Sequence, residues 1–477
     1  MQRLIVISNR VSAPGGQPAA QGGLAVAFSA ALRENDGLWF GWSGERTDTF
    51  TGDIHFDTTN GVTTATIDIE DQDIDEYYNG YANRTLWPLF HYRIDLAEFE
   101  RGFAGGYQRV NERFADTVLP LIQPDDLVWV QDYHLIPLGA ELRKRGCANR
   151  IGFFLHIPWP PHRLLTSLPN ARELVGTMLD YDVIGFQTDD WLVAFHDYVV
   201  AEMDAEIGAD GVITVGDRSV RAIACPIGID TADFVEAARS PAARLTYRRM
   251  MDSAGGRDLI VGVDRLDYSK GLEERFLGYE RFLSEYPGQH KEVFLLQIAP
   301  PSRGDVESYQ RIRATLDSLS GRINGAYADI DWVPIRYVNQ GFPRPVLAGI
   351  YRAARIGLVT PLRDGMNLVA KEYVAAQDPE DPGVLILSHF AGAARQLVDA
   401  VLVNPYSAEE MSDAIATALA MPKAERIERW RRMMKGISEE DVLWWRRRFT
   451  AVLAGEDREP RDRADTSVTD RAEAPGG

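Results

Sequence analysis

The sequence predicts a two-domain α/β protein in which each domain holds a parallel β-sheet with helices on both faces. Its 477 residues exceed what one ordinary hydrophobic core holds. Short apolar runs, typical of buried strands, alternate along most of the chain with segments of helical spacing. Polar residues recur where these runs end, and proteins of this class bind ligands at the carboxyl ends of their strands.

Five apolar runs predict the strands of the first domain. They are Leu4 to Ile7, Leu38 to Trp42, Leu127 to Val130, Ile151 to Leu155 and Val183 to Phe186. Arg10 follows the first run, Asp132 the third and His156 the fourth. A lone histidine is more often structural, but one that shares the strand ends with Asp132 and Arg10 favours a ligand contact.

A pair of glycines, Gly22 and Gly23, opens a predicted helix that runs to about Leu32. Glycines at a helix N-terminus let the backbone amides approach an anion closely. Glycine pairs also make simple turns, so both interpretations stay open. The run lacks the Gly-x-Gly-x-x-Gly pattern that follows the first strand of dinucleotide-binding proteins.

Aromatic residues are dense in two segments of turn-like sequence. Tyr77 and Tyr78 lie in the first segment and Trp87 in the second, while Trp42 ends a predicted strand. Aromatic side chains in loops most often cover hydrophobic edges of the protein. The face of a sugar ring is another surface to which such side chains bind.

The second domain is predicted to begin after Pro226 to Asp230, where a charged helical segment precedes a new alternation of strands and helices. Six apolar runs predict its strands: Leu259 to Val263, Leu295 to Ile298, Trp332 to Tyr337, Ile356 to Val359, Val384 to Ser388 and Val401 to Val403. The ends of these runs carry the cations Arg265, Lys270, Arg303 and Arg363. Because the net charge is −19, a phosphate site must gather positive charge locally, and this cluster indicates one.

The composition narrows the class of protein further. An apolar fraction of 45% and a charged fraction of 25% are typical of a soluble globular protein. The charge of −19 argues against nucleic-acid and anionic-membrane partners. Cys147 and Cys225 are too few for a disulfide framework or a thiolate metal site. We expect a cytoplasmic protein, because the sequence shows no signal-peptide pattern and no run of membrane-spanning length.

The stretch 355–377 joins a predicted strand, Ile356 to Val359, to a predicted helix through a tight loop that contains a proline and a glycine. Helical spacing resumes at Asn367. The free N–H groups at the helix start would face the ligand edge of the sheet, which suits a phosphate. Asp364 and Glu372 flank the helix start and can accept hydrogen bonds from sugar hydroxyls. An ordinary α/β crossover is the alternative.

The last predicted helix runs from Asp441 to about Leu453 and contains Trp444 and Trp445, which must be buried against another part of the chain. Residues 456–477 are charged and nearly free of large apolar side chains. We therefore expect a disordered tail there.

Assembled, these residues resemble the bacterial trehalose-6-phosphate synthases, a family of retaining glycosyltransferases. The matching motifs are Val6 to Arg10, Gly22 to Ala25, Trp39 to Gly44, Leu86 to Pro88, His91 to Arg93, Asp132 to His134, Gly152 to Pro158, Arg265 to Gly271, Ser302 to Asp305 and Thr360 to Gln377. The resemblance implies a GT-B type fold, in which two Rossmann-like domains face each other across the active-site cleft. The acceptor domain would span 1–228 and the nucleotide-sugar domain 229–440, with helix 441–455 packed back on the first domain.

The resemblance further implies transfer of glucose from UDP-glucose to glucose 6-phosphate, giving α,α-trehalose 6-phosphate and UDP, without a metal or other cofactor. The implied donor residues are Gly22, Gly23, Arg265, Lys270, Phe342, Asp364, Gly365, Met366, Asn367, Leu368, Val369 and Glu372. The implied acceptor residues are Arg10, Trp42, Tyr78, Trp87, Asp132 and Arg303. The implied catalytic residues are Asp132, His156, Arg265, Lys270 and Asp364.

On the family pattern, Glu372 would bind the ribose, Phe342 would contact uracil, and His156 would touch the donor glucose from the opposite domain. Arg10 and Arg303 would meet the acceptor phosphate. No carboxylate is an obvious nucleophile for a double displacement. The family's usual account is a front-side attack in which the departing phosphate takes the acceptor's proton.

Other functions are weighed against this one. A related transferase with another phosphorylated acceptor, such as glycerol 3-phosphate, is the alternative. An oxidoreductase is disfavoured by the missing glycine pattern. A catalytically silent homologue is disfavoured by the intact Arg265, Lys270, Asp364 and Glu372. The expected partners are the two small-molecule substrates and further copies of the chain, in a dimer or tetramer, but no nucleic acid and no membrane.

Overall fold

The computed structural model describes residues 2–11, 28, 32, 37–304 and 306–456. The predicted glycine pair, Gly22 and Gly23, and the predicted tail beyond Glu456 lie outside the described residues. Within that part the chain forms two mostly parallel sheets, one in each half. The predicted α/β class is confirmed.

The first half forms a ten-stranded sheet in the order β3-β4-β2-β1-β5-β6-β7-β10-β9-β8. Its strands are β1 Leu4–Arg10, β2 Leu38–Thr47, β3 His55–Thr59, β4 Val62–Glu70, β5 Leu127–Gln131, β6 Ile151–Phe154, β7 Val183–Phe186, β8 Glu206–Ile207, β9 Val212–Val215 and β10 Arg218–Ala224. The pairs from β4 to β10 are parallel, whereas β3, β9 and β8 add antiparallel edges. From β1, the chain adds β2 on one side of the sheet and β5 on the other. This change of direction places a ligand crevice at the carboxyl ends of β1 and β5.

The second half forms a six-stranded, fully parallel sheet in the order β13-β12-β11-β14-β15-β16. Its strands are β11 Asp258–Val263, β12 Val293–Ile298, β13 Ile335–Val338, β14 Ile356–Val359, β15 Val384–Ser388 and β16 Val401–Val403. The strand order reverses between β11 and β14, so the loops after these two strands meet at the switch point.

Helices cover both sheets. The longer ones are Arg101–Val118, Leu138–Lys144, Ala171–Met178, Asp189–Met203, Thr231–Arg239, Pro241–Ala254, Leu272–Glu285, Glu307–Tyr327, Arg344–Ala353, Leu368–Ala376, Ala408–Ala420, Lys423–Glu439 and Val442–Ala454. Short helical segments are Asp71–Asp73, Trp87–Phe90 and His162–Leu165, and a π-helix spans Ile74–Leu86.

The aromatic segments are helical, so the prediction that they form turns was wrong. Tyr77 and Tyr78 lie in the π-helix Ile74–Leu86, and Trp87 begins the next helical turn. Tyr77 is fully buried and packs near Tyr107 of the neighbouring helix, with 5.8 Å between ring centroids. This packing holds a segment whose glycine and two asparagines indicate a turn when only local preference is considered.

The helix Val442–Ala454 packs against the first sheet, although its sequence follows the second. Trp445 is 0% exposed and lies 4.9 Å from Trp129 of β5 between ring centroids. Phe449 stacks on the same Trp129 at 4.6 Å, above Gly152, where a Cβ atom would come within 2.8 Å of its ring. Trp444 is only half-buried, so the predicted burial of both tryptophans holds in full for Trp445 alone.

The chain passes between the two halves twice, and the two crossings touch. Val442 donates its backbone N–H to the carbonyl of Ile229 at 3.1 Å. A Cβ atom on Gly228 would lie 2.4 Å from the backbone of Asp441, so only glycine allows this approach. Nearby, the buried ammonium of Lys371 donates to the carbonyl of Ile227 at 2.6 Å. The crossings and the helix that carries Lys371 therefore form one packed joint.

Candidate active site

Two loops of the second half dock on each other at its switch point. The loop after β14 donates from Leu362 N to the carbonyl of Ser269 in the loop after β11, at 2.8 Å. Gly271 has φ +64° and packs so close to the carbonyl of Thr360 that a Cβ atom would approach it to 2.2 Å. The fully buried Arg275 braces both loops, because its guanidinium donates to Thr360 and to Asp264.

Lys270 and Asp364 form an ion pair where these loops meet. The distance from Lys270 Nζ to Asp364 Oδ2 is 2.5 Å, and the amide of Asn367 donates to the same oxygen at 3.1 Å. Burial alone would raise the pKa of Asp364, but the ammonium of Lys270 outweighs burial and the pKa is lowered. The site therefore holds an ionised carboxylate and a cation directly before a helix.

That helix, Leu368–Ala376, opens as its sequence predicts. Asn367 is the N-cap, and its side-chain oxygen accepts a hydrogen bond from Ala370 N at 3.3 Å. Such a cap leaves the first N–H groups, those of Leu368 and Val369, without intrahelical partners. Backbone donors and the positive end of the helix dipole therefore lie beside Lys270, and this combination binds phosphate.

Glu372 lies one turn into this helix and is half-buried. Burial raises the pKa of its carboxyl to about 7, against the opposing charge of Arg344. Its side chain forms no hydrogen bond with any residue in the part of the chain that the structure describes. Phe342, also half-buried, precedes the helix Arg344–Ala353, which packs on the helix of Glu372. Within the described residues, this carboxyl group is thus free to accept hydrogen bonds from a ligand.

A continuous path of rings crosses the opposite wall of the cleft and has an arginine at each end. Arg10 lies over the ring of Trp42 at 5.6 Å, and Arg303 lies over the ring of Trp87 at 3.9 Å. Between these ends the ring contacts run in the order Trp42, Tyr78, His134, Tyr133 and Trp87, with centroid distances of 5.7, 5.9, 3.9 and 5.6 Å. The path is contributed by the first half except for Arg303.

Arg303 reaches the first half from the loop after β12. Its side chain is 7% exposed, and its guanidinium donates to the hydroxyl of Tyr133 at 3.1 Å. On its own side it pairs with Asp267 at 3.5 Å and donates to the hydroxyl of Tyr309. Burial would raise the pKa of Asp267, but the neighbouring cations, Arg303 first, lower it to about 2. Arg303 is therefore a buried cation whose carboxylate partner stays ionised.

Asp132 and His156 lie side by side at the ends of β5 and β6. Asp132 accepts a hydrogen bond from the backbone N–H of His156 at 3.2 Å, and burial raises the pKa of its carboxyl to about 6. The imidazole of His156 lies 3.0 Å from Gln131 Oε1 and 3.1 Å from Gln187 Nε2. Burial lowers the pKa of His156 to about 3, so the ring is neutral and both of its nitrogens are engaged within the first half.

The two halves touch directly at this point. The carbonyl of His156 faces Gly365, where a Cβ atom would come within 2.0 Å of it. The indole of Trp191 donates to the carbonyl of Gly365 at 3.4 Å. Met366, next in the chain, is buried. The loop that carries Asp364 is thus held against the first half through its glycine.

Three non-glycine residues of the site have backbone conformations that are rare for them. The φ angles are +70° at Asp132, +48° at Arg303 and +77° at Asn367. Such strain persists only where the surrounding structure enforces it, and it gathers at ligand sites. Its presence on both walls agrees with a site that spans the cleft.

The structure brings most of the predicted site residues together. Arg363, a member of the predicted cation cluster, stacks on Tyr92 at 4.2 Å and on Phe390 at 4.4 Å, so its guanidinium is engaged by these two rings. Arg265 lies over Trp87 at 5.7 Å, on the same ring as Arg303. Gly22 and Gly23 lie outside the described residues.

Sequence reasoning missed the residues that support Arg303. Tyr133 and His134 stand in a motif recognised at the end of β5, but no role followed for them from their type alone. Asp267 and Tyr309 orient Arg303 across 36 and 6 residues of chain. The sequence signal for this support is Tyr133, an aromatic residue directly after Asp132 at the end of β5.

Within the described residues no group of three or more His, Cys, Asp or Glu side chains is arranged to hold a metal ion. Over the same ranges, no helix has the length and apolar character needed to cross a membrane.

The fold and this cleft define a GT-B type glycosyltransferase. One wall of the cleft holds a helix start that can bind an anion, and the other holds the path of rings with Arg10 and Arg303 at its ends. Residues 12–454 match the model of glycosyltransferase family 20. The chain belongs to glycosyltransferase family 20. It is 49% identical over 452 residues to a trehalose-6-phosphate synthase of Sinorhizobium fredii, covering 94% of this chain and 97% of that protein.

Two solved structures resemble the whole fold. One is a UDP-forming α,α-trehalose-phosphate synthase from Burkholderia xenovorans in complex with glucose 6-phosphate, with a TM-score of 0.91, 48% identity and coverage of 94% and 99%. The other is an E. coli trehalose-6-phosphate protein bound with UDP-2-fluoro glucose, with a TM-score of 0.91, 46% identity and coverage of 95% and 99%. The expected family and fold are confirmed.

The raised pKa of Asp132 predicts a pH dependence that its amide variant lacks. If the ionised carboxylate orients the acceptor, kcat/KM should fall as the pH drops through about 6, where Asp132 takes up a proton. The phosphate of glucose 6-phosphate ionises near the same pH, with a pKa of about 6. A pH profile of Asp132→Asn separates the two, because only the substrate's ionisation remains. Identical profiles for variant and wild type would exclude a titrating role for Asp132.

Proposed function

We propose that this chain transfers glucose from UDP-glucose to glucose 6-phosphate with retention, forming α,α-trehalose 6-phosphate and UDP. The observation that carries the proposal is the pairing of two anion sites across one cleft. Lys270 and the helix start at Leu368 form one site, and Arg303 on its ring path forms the other. The enzyme is a UDP-forming α,α-trehalose-phosphate synthase in its chemistry.

The donor lies on the second-half wall. Its pyrophosphate meets the ammonium of Lys270, the guanidinium of Arg265 and the free N–H groups at the helix start. Glu372 accepts hydrogen bonds from the ribose hydroxyls, which supply the donors that its side chain lacks. Phe342 contacts the uracil, and the ionised Asp364 holds the glucose hydroxyls.

The acceptor lies on the first-half wall. Its phosphate meets Arg303 and Arg10, at the two ends of the ring path, and its sugar lies on the rings of Trp42, Tyr78 and Trp87. A guanidinium offers paired donors that match phosphate oxygens. The acceptor hydroxyl then approaches Asp132, close to where the loop of Gly365 meets His156.

The reaction breaks the bond between the anomeric carbon and the β-phosphate oxygen, and the electron pair leaves with UDP. Lys270, Arg265 and the helix dipole stabilise the charge that develops on this phosphate. The acceptor oxygen attacks from the same face, and its proton passes to the departing phosphate oxygen. Asp364 is held in an ion pair with Lys270, so it orients the sugar rather than attacking it.

We propose that these fixed cations make a metal ion unnecessary. A divalent cation neutralises a leaving diphosphate in many transferases, and Lys270 with Arg265 would supply the same charge here. Activity should then be unchanged after dialysis against EDTA and after addition of Mg²⁺. Loss of activity on chelation, restored by Mg²⁺, would overturn this part of the proposal.

The direct test measures UDP release from a panel of nucleotide-sugars and sugar phosphates. We expect UDP-glucose and glucose 6-phosphate to be the best pair. Rapid turnover with glycerol 3-phosphate, and little with glucose 6-phosphate, would replace the proposed acceptor. Absence of UDP release with every pair would contradict transferase activity.

Glu372→Gln should weaken UDP binding and leave the binding of glucose 6-phosphate unchanged. The charge-assisted hydrogen bonds lost to the ribose would amount to about 1.5–3 kcal/mol, which is roughly a 10- to 150-fold change in Kd. Calorimetric titration with UDP measures this directly. An unchanged UDP affinity would make Glu372 a structural residue and remove it from the donor site.

Location and assembly are also proposed. We infer that the enzyme acts in the cytoplasm, where both of its phosphorylated substrates are found, and that it associates into a dimer or tetramer. Light scattering of the purified chain measures the assembly, and a monomeric mass over the working concentration range would contradict it.

A further inference from the structure

A cavity of about 550 Å³ opens in the second half of the chain. It is lined by Arg239, Arg244, Tyr247, Arg248, Arg352 and Asp378, together with Ala238. The helices Thr231–Arg239 and Pro241–Ala254 form one side, and the end of the helix Arg344–Ala353 forms the other. Volumes of about 300–1,000 Å³ are typical of small-molecule sites.

The lining carries four arginines and one aspartate, so its net charge is +3. Arg352 pairs with Asp378 at 2.8 Å. Arg239, Arg244 and Arg248 form no ion pair and no side-chain hydrogen bond with any residue in the described ranges. In a chain with 70 acidic and 51 basic residues, neighbours gathered by chance would be mostly acidic. The three side chains are exposed, and this local excess of positive charge favours an anion as the ligand of the cavity.

Helix stability does not explain these arginines. Arg239 and Arg352 lie in the last turns of their helices, where the dipole favours a cation. Arg244 lies near the start of its helix, where the dipole favours an anion, and Arg248 follows at i+4 on the same face. Like charges at this spacing destabilise a helix. The pair costs the fold stability, and a bound anion would reverse that cost.

We infer that this cavity is a second anion site, separate from the cleft, and that it binds the phosphate group of a small molecule. The guanidinium groups of Arg244 and Arg248 supply forked donors that match phosphate oxygens. The ring of Tyr247 lies between them in sequence and is half-buried in the cavity wall. The volume leaves room for a sugar ring beyond the phosphate.

The cavity is linked to the cleft through one helix. Asp378 follows the end of Leu368–Ala376, the helix whose start faces the donor. Nine residues at 1.5 Å each place these ends about 14 Å apart. A phosphate on Arg352 competes with Asp378 for the same guanidinium, so occupancy changes how the end of this helix is anchored. Binding itself does not depend on the proposed transfer reaction.

The test counts binding sites by calorimetry on the full chain saturated with UDP. Glucose 6-phosphate should fill two sites per chain in the wild type and one in Arg244→Gln/Arg248→Gln, with that second site weakened at least tenfold. The matched control is Arg249→Gln, because Arg249 is exposed on the same helix but does not line the cavity. The control should keep two sites. Arg248→Gln alone gives an independent variant if the double change lowers the melting temperature.

A single wild-type site that persists in the double variant, two sites in the double variant, or equal losses in Arg249→Gln would each overturn the proposal. Inorganic phosphate as a competitor identifies the source of the phosphate group. Competition at an affinity equal to that of glucose 6-phosphate assigns the cavity to free phosphate, and competition at least tenfold weaker assigns it to a sugar phosphate. Failure of the proposed function is distinguishable, because it removes the site that depends on Arg303 and leaves this one.

Discussion

Arg303→Ala is expected to raise the KM for glucose 6-phosphate and to leave the affinity for UDP-glucose almost intact. The loss in kcat/KM should be roughly 30- to 1000-fold, or about 2–4 kcal/mol. The variant loses the donors to the acceptor phosphate, and it also uncovers Asp267. Arg303 is the first of the cations that lower the pKa of that carboxyl, so its removal raises this pKa, and Arg265 and Lys270 are the cations that still lower it.

Steady-state kinetics with glucose 6-phosphate and with unphosphorylated glucose measures this effect. The wild type should discriminate strongly between the two acceptors, and the variant should lose most of the discrimination. Arg313→Ala is the control, because Arg313 is an exposed arginine ten residues further along the chain. If Arg303→Ala instead lost UDP-glucose binding and kept its acceptor KM, Arg303 would belong to the donor site.

Trp445→Ala should lower the free energy of unfolding by about 3–5 kcal/mol, since a fully buried indole leaves a large cavity. Its ring touches Trp129, Phe154 and the imidazole of His156, with centroid distances of 4.9, 5.1 and 5.8 Å. The cavity would therefore open directly beneath the active site. Chemical denaturation followed by tryptophan fluorescence and circular dichroism measures the change.

Trp444→Ala is the matched control on the same helix. Its side chain is half-buried, so less apolar surface is lost and the destabilisation should be clearly smaller. Equal effects of the two substitutions, or a wild-type melting temperature for Trp445→Ala, would contradict the packing of this helix on the first sheet.

Short apolar strands that polar or breaking residues bound on both sides were predictable from the sequence. Ile356–Val359 and Val384–Ser388 have the predicted bounds, because each is an isolated apolar run that a polar or breaking residue ends on both sides. The start of the helix after Asn367 was also predictable, since an asparagine cap before an apolar segment is a local signal.

Other elements depend on contacts that a local pattern does not contain. The strand Arg218–Ala224 carries two arginines and a serine, and it forms where neighbouring strands pair with it. The strand Val62–Glu70 does have a local signal that was missed, because Ala65, Ile67 and Ile69 alternate with polar residues. The π-helix Ile74–Leu86 is held by tertiary packing against the preferences of its sequence.

The division of the site into two walls came from the resemblance to a family, not from spacing. Arg303 and Tyr133 are 170 residues apart in sequence and 3.1 Å apart in the fold. No periodicity relates such a pair. What the residues alone supplied was the chemistry, a few cations at strand ends in an acidic chain.

The position of the last helix has a consequence for how the protein is made. Trp445 and Phe449 complete the core over Trp129, which belongs to the first half of the sequence. During synthesis the first half emerges long before these residues do, and domains ordinarily fold as they emerge. Here the nascent first half carries an open apolar surface over Trp129 while the whole second half is translated. The first domain is therefore completed only after the second half has been translated through Phe449.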